Sequence, residues 1–134
     1  MNRVSNFEIP TDDKARSKDF YSQVFDWQIA DVPVAMEGGM GTYTVVTTVA
    51  TDPRTQVPTE PGAINGAIVE RHGDVTGPVI IVTVDSVEEH LKKVAEAGGK
   101  VVEGKREVTN MGYYAYVADP SGNVIGLWED IHPN

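Results

Sequence analysis

PVIIVTVDSVEEHLKKVAEAGG, running from Pro78 to Gly99, is the stretch that decides the architecture. Its opening, Pro78 to Val84, is a β-branched run with aliphatic side chains on both faces, as in a strand covered on both sides. A helix follows at once. Ser86 and Glu89 form a capping box, Val87, Leu91, Val94 and Ala95 make an apolar stripe at helical spacing, and Gly98-Gly99 supplies the stop. The same order stands at the N-terminus. Val4 to Pro10 reads as a strand with Phe7 and Ile9 on one face and Asn6 and Glu8 on the other, and Pro10 ends it. Asp13 then caps a helix over Lys14 to Phe25, whose Phe20, Tyr21, Val24 and Phe25 are expected to pack on a sheet. The two copies superpose at an offset of 73 residues, which puts Asp12 on Asp85 and Tyr21 on Val94.

Three strand-like runs follow each helix. In the first copy these are Trp27 to Val34, Thr42 to Val49 and Gly62 to Glu70. The turn Glu37-Gly38-Gly39-Met40-Gly41 joins the first two, and Ala50 to Pro61, with prolines at 53, 58 and 61, loops to the third. Arg71 to Gly77 links the copies. In the second copy the runs are Lys100 to Glu103, Gly112 to Ala118 and Asn123 to Glu129, with a turn at Asp119-Pro120-Ser121-Gly122. The expected fold is α+β: a single domain over residues 1–134, built from two βαβββ modules in tandem, about 3–70 and 78–130. Their sheets lie side by side as one concave sheet with the helices on the convex side. The concave trough suits a small molecule better than a macromolecule.

Composition narrows the function classes. With 134 residues, 40% of them hydrophobic, the chain can bury one core but not two. It has no cysteine, so disulfides, thiolate chemistry and Cys-based zinc sites are out of reach. A net charge of -9, with no stripe of Lys or Arg, argues against nucleic acid and anionic membranes as partners. The longest aliphatic run, Val79 to Val82, falls far below the roughly 20 residues that span a bilayer. Met1-Asn2-Arg3-Val4-Ser5 lacks the apolar stretch of a signal peptide, and a soluble, cytoplasmic protein is expected.

Strand alternation selects the residues that line the trough. Asn6 and Glu8 point into it, and apolar walls would raise the Glu8 pKa and make this carboxylate a general base; a solvated or Arg-paired carboxylate is the alternative. With Ile125 and Leu127 under the second helix, Val124, Gly126 and Trp128 face the trough beside Thr83 and Ile81. Trp128, Tyr43, Tyr114 and Tyr116 offer aromatic walls for a flat ligand, or else pack in the core or at a dimer interface. Asn65 is a further polar candidate that also reads as a turn residue before Gly66.

Several motifs together resemble the vicinal oxygen chelate superfamily, which includes glyoxalases, bleomycin-resistance proteins and extradiol dioxygenases. They are Asn6-Phe7-Glu8-Ile9-Pro10 with Asp13, Phe20-Tyr21, Val24-Phe25-Asp26-Trp27, Gly62 to Ala67, Gly77-Pro78 through Asp85, Ala97-Gly98-Gly99-Lys100, Met111-Gly112, Ala118 to Asn123 and Leu127-Trp128-Glu129. The resemblance implies the paired-module fold, a tendency to form homodimers, and a divalent metal held by His, Gln or Glu from the first and last strands of each module. Those metal positions fall here on Asn6, Ala67, Val79 and Gly126, so no metal or other cofactor is expected. His72, His90 and His132 lie elsewhere and read as surface residues. The leading expectation is a small-molecule-binding protein with a degenerate metal site, taking a small aromatic or hydrophobic ligand in the trough. The alternative is a lyase, isomerase or dioxygenase of the glyoxalase type, metal-dependent or with Glu8 as general base. A ligand-free dimerising domain ranks third.

Overall fold

A computed structural model describes residues 1–36 and 38–131 of the chain. In chain order the elements are β1 (Arg3–Thr11), α1 (Lys14–Phe25), β2 (Gln28–Met36), β3 (Gly39–Thr47) and β4 (Asn65–Glu70), then β5 (Val79–Thr83), α2 (Val87–Glu96), β6 (Lys100–Val108), β7 (Gly112–Ala118) and β8 (Val124–Asp130). The βαβββ unit is thus written twice. The helix caps repeat with it, Asp13 accepting from the Arg16 N–H at 3.0 Å and Ser86 from the Glu89 N–H at 3.1 Å. At α2 the first N–H, that of Val87, is also taken, by the Glu129 carboxylate of β8 at 2.8 Å. That bond fixes the helix to the sheet by its positive end.

Each module pairs its first strand with its last in parallel: β1 with β4, placing Glu8 opposite Ala67, and β5 with β8, placing Ile81 opposite Gly126. The modules join through antiparallel β1 and β5, where Glu8 lies opposite Val79. The expectation of an open concave sheet needs one change, because the outer rims also meet. β2 runs on to Met36 and β6 to Val108, and these two residues pair, closing the order β1-β4-β3-β2-β6-β7-β8-β5 into a barrel. A bond from the Thr109 N–H to the Ala35 carbonyl at 3.0 Å reinforces this seam. β6 was expected to stop at Glu103. Its continuation, Gly104-Lys105-Arg106-Glu107, is too polar to read as a strand, and pairing with β7 holds it extended.

The faces divide as alternation requires. Val84, Val87, Ala115, Val117 and Leu127 form a core under α2, with Leu91, Val94 and Ile125 packed against it. The opposite face gathers Val79 and Tyr116 with Ile81, Tyr114 and Val124. Helix α1 departs from expectation. Phe20, Val24 and Phe25 are about half exposed and the helix has no buried residue. It rests instead on a ring stack, Tyr21 parallel to Trp27 at 5.4 Å and Trp27 against Phe7 at 5.9 Å, and on a polar tether. In that tether Asp31 accepts from Lys18 Nζ at 2.8 Å and from the buried Thr44 hydroxyl at 2.7 Å. Among the described residues no helix is long and apolar enough to cross a membrane.

The β1–β4 contact is close enough to require glycine. A Cβ on Gly66 would overlap both the carbonyl oxygen and the ring of Phe7. Gly66→Ala is therefore expected to destabilise by roughly 1–3 kcal/mol or more, as overpacking of a rigid contact does. Loss of the Ser86 cap in Ser86→Ala should cost about 1 kcal/mol. Chemical denaturation of the two variants checks the order; a Gly66→Ala protein as stable as wild type would show that the strands can part there freely.

Candidate functional site

Glu8 is the centre of the site. The pleat of β1 sends Phe7 toward the α1 ring stack and Glu8 to the other side, into the barrel. There its backbone neighbours across the sheet are Ala67 and Val79, which are 1% and 2% exposed, and Glu8 itself is 8% exposed. A carboxylate in such surroundings needs partners. The Tyr116 hydroxyl, reaching across from β7, donates to Glu8 Oε1 at 2.5 Å, and the buried Tyr43 phenol of β3 stands near the same carboxylate. The Tyr114 ring stands edge-on to that of Tyr116, 6.1 Å between centroids.

The electrostatics follow from burial. Desolvation raises the Glu8 pKa above the usual carboxylate value, against the opposing effect of the Tyr116 bond, then of nearby His72 and of Tyr43; the Glu103 charge adds a small further rise. The Tyr43 and Tyr116 phenols are pushed up as well, first by burial and then by the adjacent Glu8 charge. Protonated phenols facing a buried carboxyl group make a short donor-acceptor array. Such an array can hold a hydroxyl or carbonyl oxygen, or take up a proton from a ligand.

Of the residues expected in the trough, Glu8, Tyr43, Tyr114 and Tyr116 come together. Asn6 is exposed, on the pairing line with Asn65 and Ile81. Asn65 Oδ1 accepts from the Thr48 and Val49 N–H groups and from the Thr48 hydroxyl, pinning the end of β3 to β4. Thr83 Oγ1 donates to Ser5 Oγ at 2.6 Å, where β1 bulges against β5. Trp128 stands opposite Tyr114 and donates from Nε1 to Asp130 at 2.7 Å.

Three residues at the mouth escaped the sequence reading. His72 packs edge-on against Tyr116, with its Nδ1 3.4 Å from Glu103 Oε1, and Arg106 lies opposite Tyr114 across the β6–β7 pair. Glu103 and Arg106 were hidden by the polar continuation of β6, and His72 by its place in a linker. His90 lies on α2, bonded to the Ser86 carbonyl oxygen at 2.9 Å, and His132 is outside the described residues.

The superfamily's metal positions can be tested on this geometry. Asn6 pairs with Ile81, Ile81 with Gly126, and Glu8 with both Ala67 and Val79, so the four positions do surround one locus. Its lining is wrong for a cation. Gly126 leaves no open space, because a Cβ there would collide with the Ile81 side chain. Among the described residues no three His, Cys, Asp or Glu side chains converge to hold a metal ion. The donor set does not fit a divalent ion at that locus.

Two βαβββ modules sharing one sheet around a central polar cluster define a paired-module fold. Comparison gives the family. The sequence profile of the Glyoxalase/Bleomycin resistance protein/Dioxygenase superfamily matches residues 3–127, and the chain belongs to that superfamily. It is 30% identical over 125 residues to "Putative glyoxylase CFP32" of Mycobacterium bovis, covering 91% of this chain and 43% of that protein. It is 29% identical over 126 residues to "Anthracycline biosynthesis protein DnrV" of Streptomyces peucetius, covering 91% and 45%. The chain thus spans less than half the length of these relatives. Among solved structures, methylmalonyl-CoA epimerase from Mycobacterium tuberculosis superposes with a TM-score of 0.61 at 12% identity, over 96% of this chain and 87% of that one. At that identity the likeness is one of fold.

The raised Glu8 pKa has a consequence for stability. The folded chain holds this proton more tightly than the unfolded chain does, so the contribution of Glu8 is fully present below the unfolded carboxylate pKa and is lost as pH rises through the folded value. Glu8→Gln cannot titrate. The melting temperature of Glu8→Gln relative to wild type should therefore climb between pH 4 and pH 8; a pH-independent difference would mean that Glu8 ionises as freely folded as unfolded.

Proposed function

We propose that this chain is a small-molecule-binding member of its superfamily that works without a divalent metal. It holds a small aromatic or hydrophobic ligand in the barrel trough with a ligand oxygen against Glu8, Tyr43 and Tyr116. The observation that carries this reading is the buried Glu8 carboxyl group, the one buried carboxyl among the described residues, bonded to the Tyr116 phenol in a locus otherwise lined by Ala67, Val79 and Ile81. Apolar walls with a few convergent polar groups are the usual build of a ligand site. The likeness to a protein named for anthracycline biosynthesis points the same way, since anthracyclines are flat, hydroxylated polycyclic aromatics. A homodimer is part of the proposal, with a second copy covering the half-exposed Phe20, Val24 and Phe25 of α1. A cytoplasmic setting is part of it as well.

A second reading is favoured by the same residue. Glu8 is shielded from bulk water and its proton affinity is raised, which are the conditions for a general base in a lyase or isomerase of the glyoxalase type. Binding then precedes proton transfer at the same cluster, and the two readings share their ligand.

The test is metal content of the purified protein together with thermal-shift titration of Mn²⁺, Ni²⁺, Zn²⁺ and Fe²⁺ and, separately, of 2-naphthol as a hydroxylated aromatic probe. A ligand that binds the native state raises the melting temperature. We expect no stoichiometric metal and no metal-induced shift, with a 2-naphthol shift that Tyr116→Phe and Glu8→Gln reduce. Stoichiometric metal, or a metal shift abolished in Glu8→Ala, would overturn the metal-free reading.

A further inference from the structure

The connector between the modules does more than cross the rim. From Arg71 to Gly77 every residue is exposed except Val75, which is 1% exposed. Its side chain enters the barrel and packs with Val79 and Tyr116, with Ile81, Val102 and Val124 around them. The backbone is folded to make this insertion. The His72 N–H donates to the Val75 carbonyl at 3.3 Å and the Val75 N–H to the His72 carbonyl at 2.8 Å, a tight reversal around Gly73, whose φ is +49°. A left-handed residue flanked by exposed chain is where a glycine is needed.

Val75 and Glu8 bracket the same side chain. Tyr116 offers its hydroxyl to Glu8, while Val75 packs against Tyr116 from the connector side. Tyr116 therefore meets a polar group, Glu8, at its hydroxyl and an apolar one, Val75, against its side chain. The connector that carries Val75 is joined to the rest by little. Arg71 donates its N–H to the Thr11 carbonyl at 2.9 Å and pairs with Asp12 through exposed side chains, and His72 meets Glu103 at 3.4 Å. Surface ion pairs of this kind hold weakly.

We propose that Val75 is a specificity-determining residue that sets the size of the ligand the trough accepts, its isopropyl group standing where a second ring of an aromatic ligand would lie. The proposal rests on the trough reading given above. The ligand class it selects is a flat, apolar molecule with one hydroxyl or carbonyl oxygen, which Glu8 and the tyrosines take at one end while Val75 limits its length at the other. Removing methyl groups frees room for about two methylene units, which corresponds to roughly a tenfold gain in affinity for a ligand able to fill it.

The experiment compares phenol and 2-naphthol by calorimetry on wild type, Val75→Ala, Val75→Leu and Tyr116→Phe. We expect Val75→Ala to shift the affinity ratio toward 2-naphthol by about tenfold, Val75→Leu to shift it toward phenol, and Tyr116→Phe to weaken both probes. Val75→Leu conserves an apolar side chain, so the comparison survives if Val75→Ala folds poorly. A purely structural Val75 would lower the melting temperature and leave the ratio unchanged. If both probes bind wild type and depend on Tyr116 but the ratio is fixed across the Val75 variants, the size-setting role is wrong and the trough reading stands. If neither probe binds any of the four proteins, the trough reading fails and takes this proposal with it.

Discussion

The bond between Tyr116 and Glu8 is the constraint around which the interior is arranged. A carboxyl group that is 8% exposed carries a desolvation cost that apolar neighbours cannot offset, and the hydrogen bond from Tyr116 is the compensation the chain provides. The donor comes from the other module. Glu8 is on β1 and Tyr116 on β7, so the bond ties the two halves across the barrel as well as satisfying the acid. The same partner holds a titratable group in a place from which water is largely excluded.

Duplication explains the frame, and divergence explains the site. The 73-residue offset carries Glu8 onto Ile81 and Asn6 onto Val79, so equivalent positions point into the same trough with opposite polarity. Ile81 then fills the space beside Gly126, where a cation-binding side chain stands in the superfamily pattern. The first module supplies the acid and the second the aliphatic wall and the main phenol partner. Neither module alone holds the cluster.

Most of this was legible in the sequence because it rests on local rules. The caps at Asp13 and Ser86, the stripe of Val87, Leu91 and Val94, and the inward turn of Glu8 follow from helical and strand periods. What was not legible depended on pairing between distant segments. Glu103 and Arg106 reach the mouth only because β7 keeps a polar stretch of β6 extended, and the Met36–Val108 contact that closes the barrel has no local signature. His72 and Val75 sit in a stretch read as a linker, and nothing in its composition says that one side chain turns inward. Helix α1 misled for the opposite reason: its apolar residues outnumber the surface available to cover them, leaving Phe20 and Val24 half exposed.

The Glu8 carboxyl group can be observed directly. A ¹³C-detected NMR titration of the Glu8 side-chain carboxyl should give a midpoint above the ordinary glutamate value of 4.5, and Tyr116→Phe should raise it further, because the lost bond favours the ionised form. A midpoint at or below 4.5 in the wild-type protein, unchanged by Tyr116→Phe, would contradict the buried acid-phenol cluster on which the site is built.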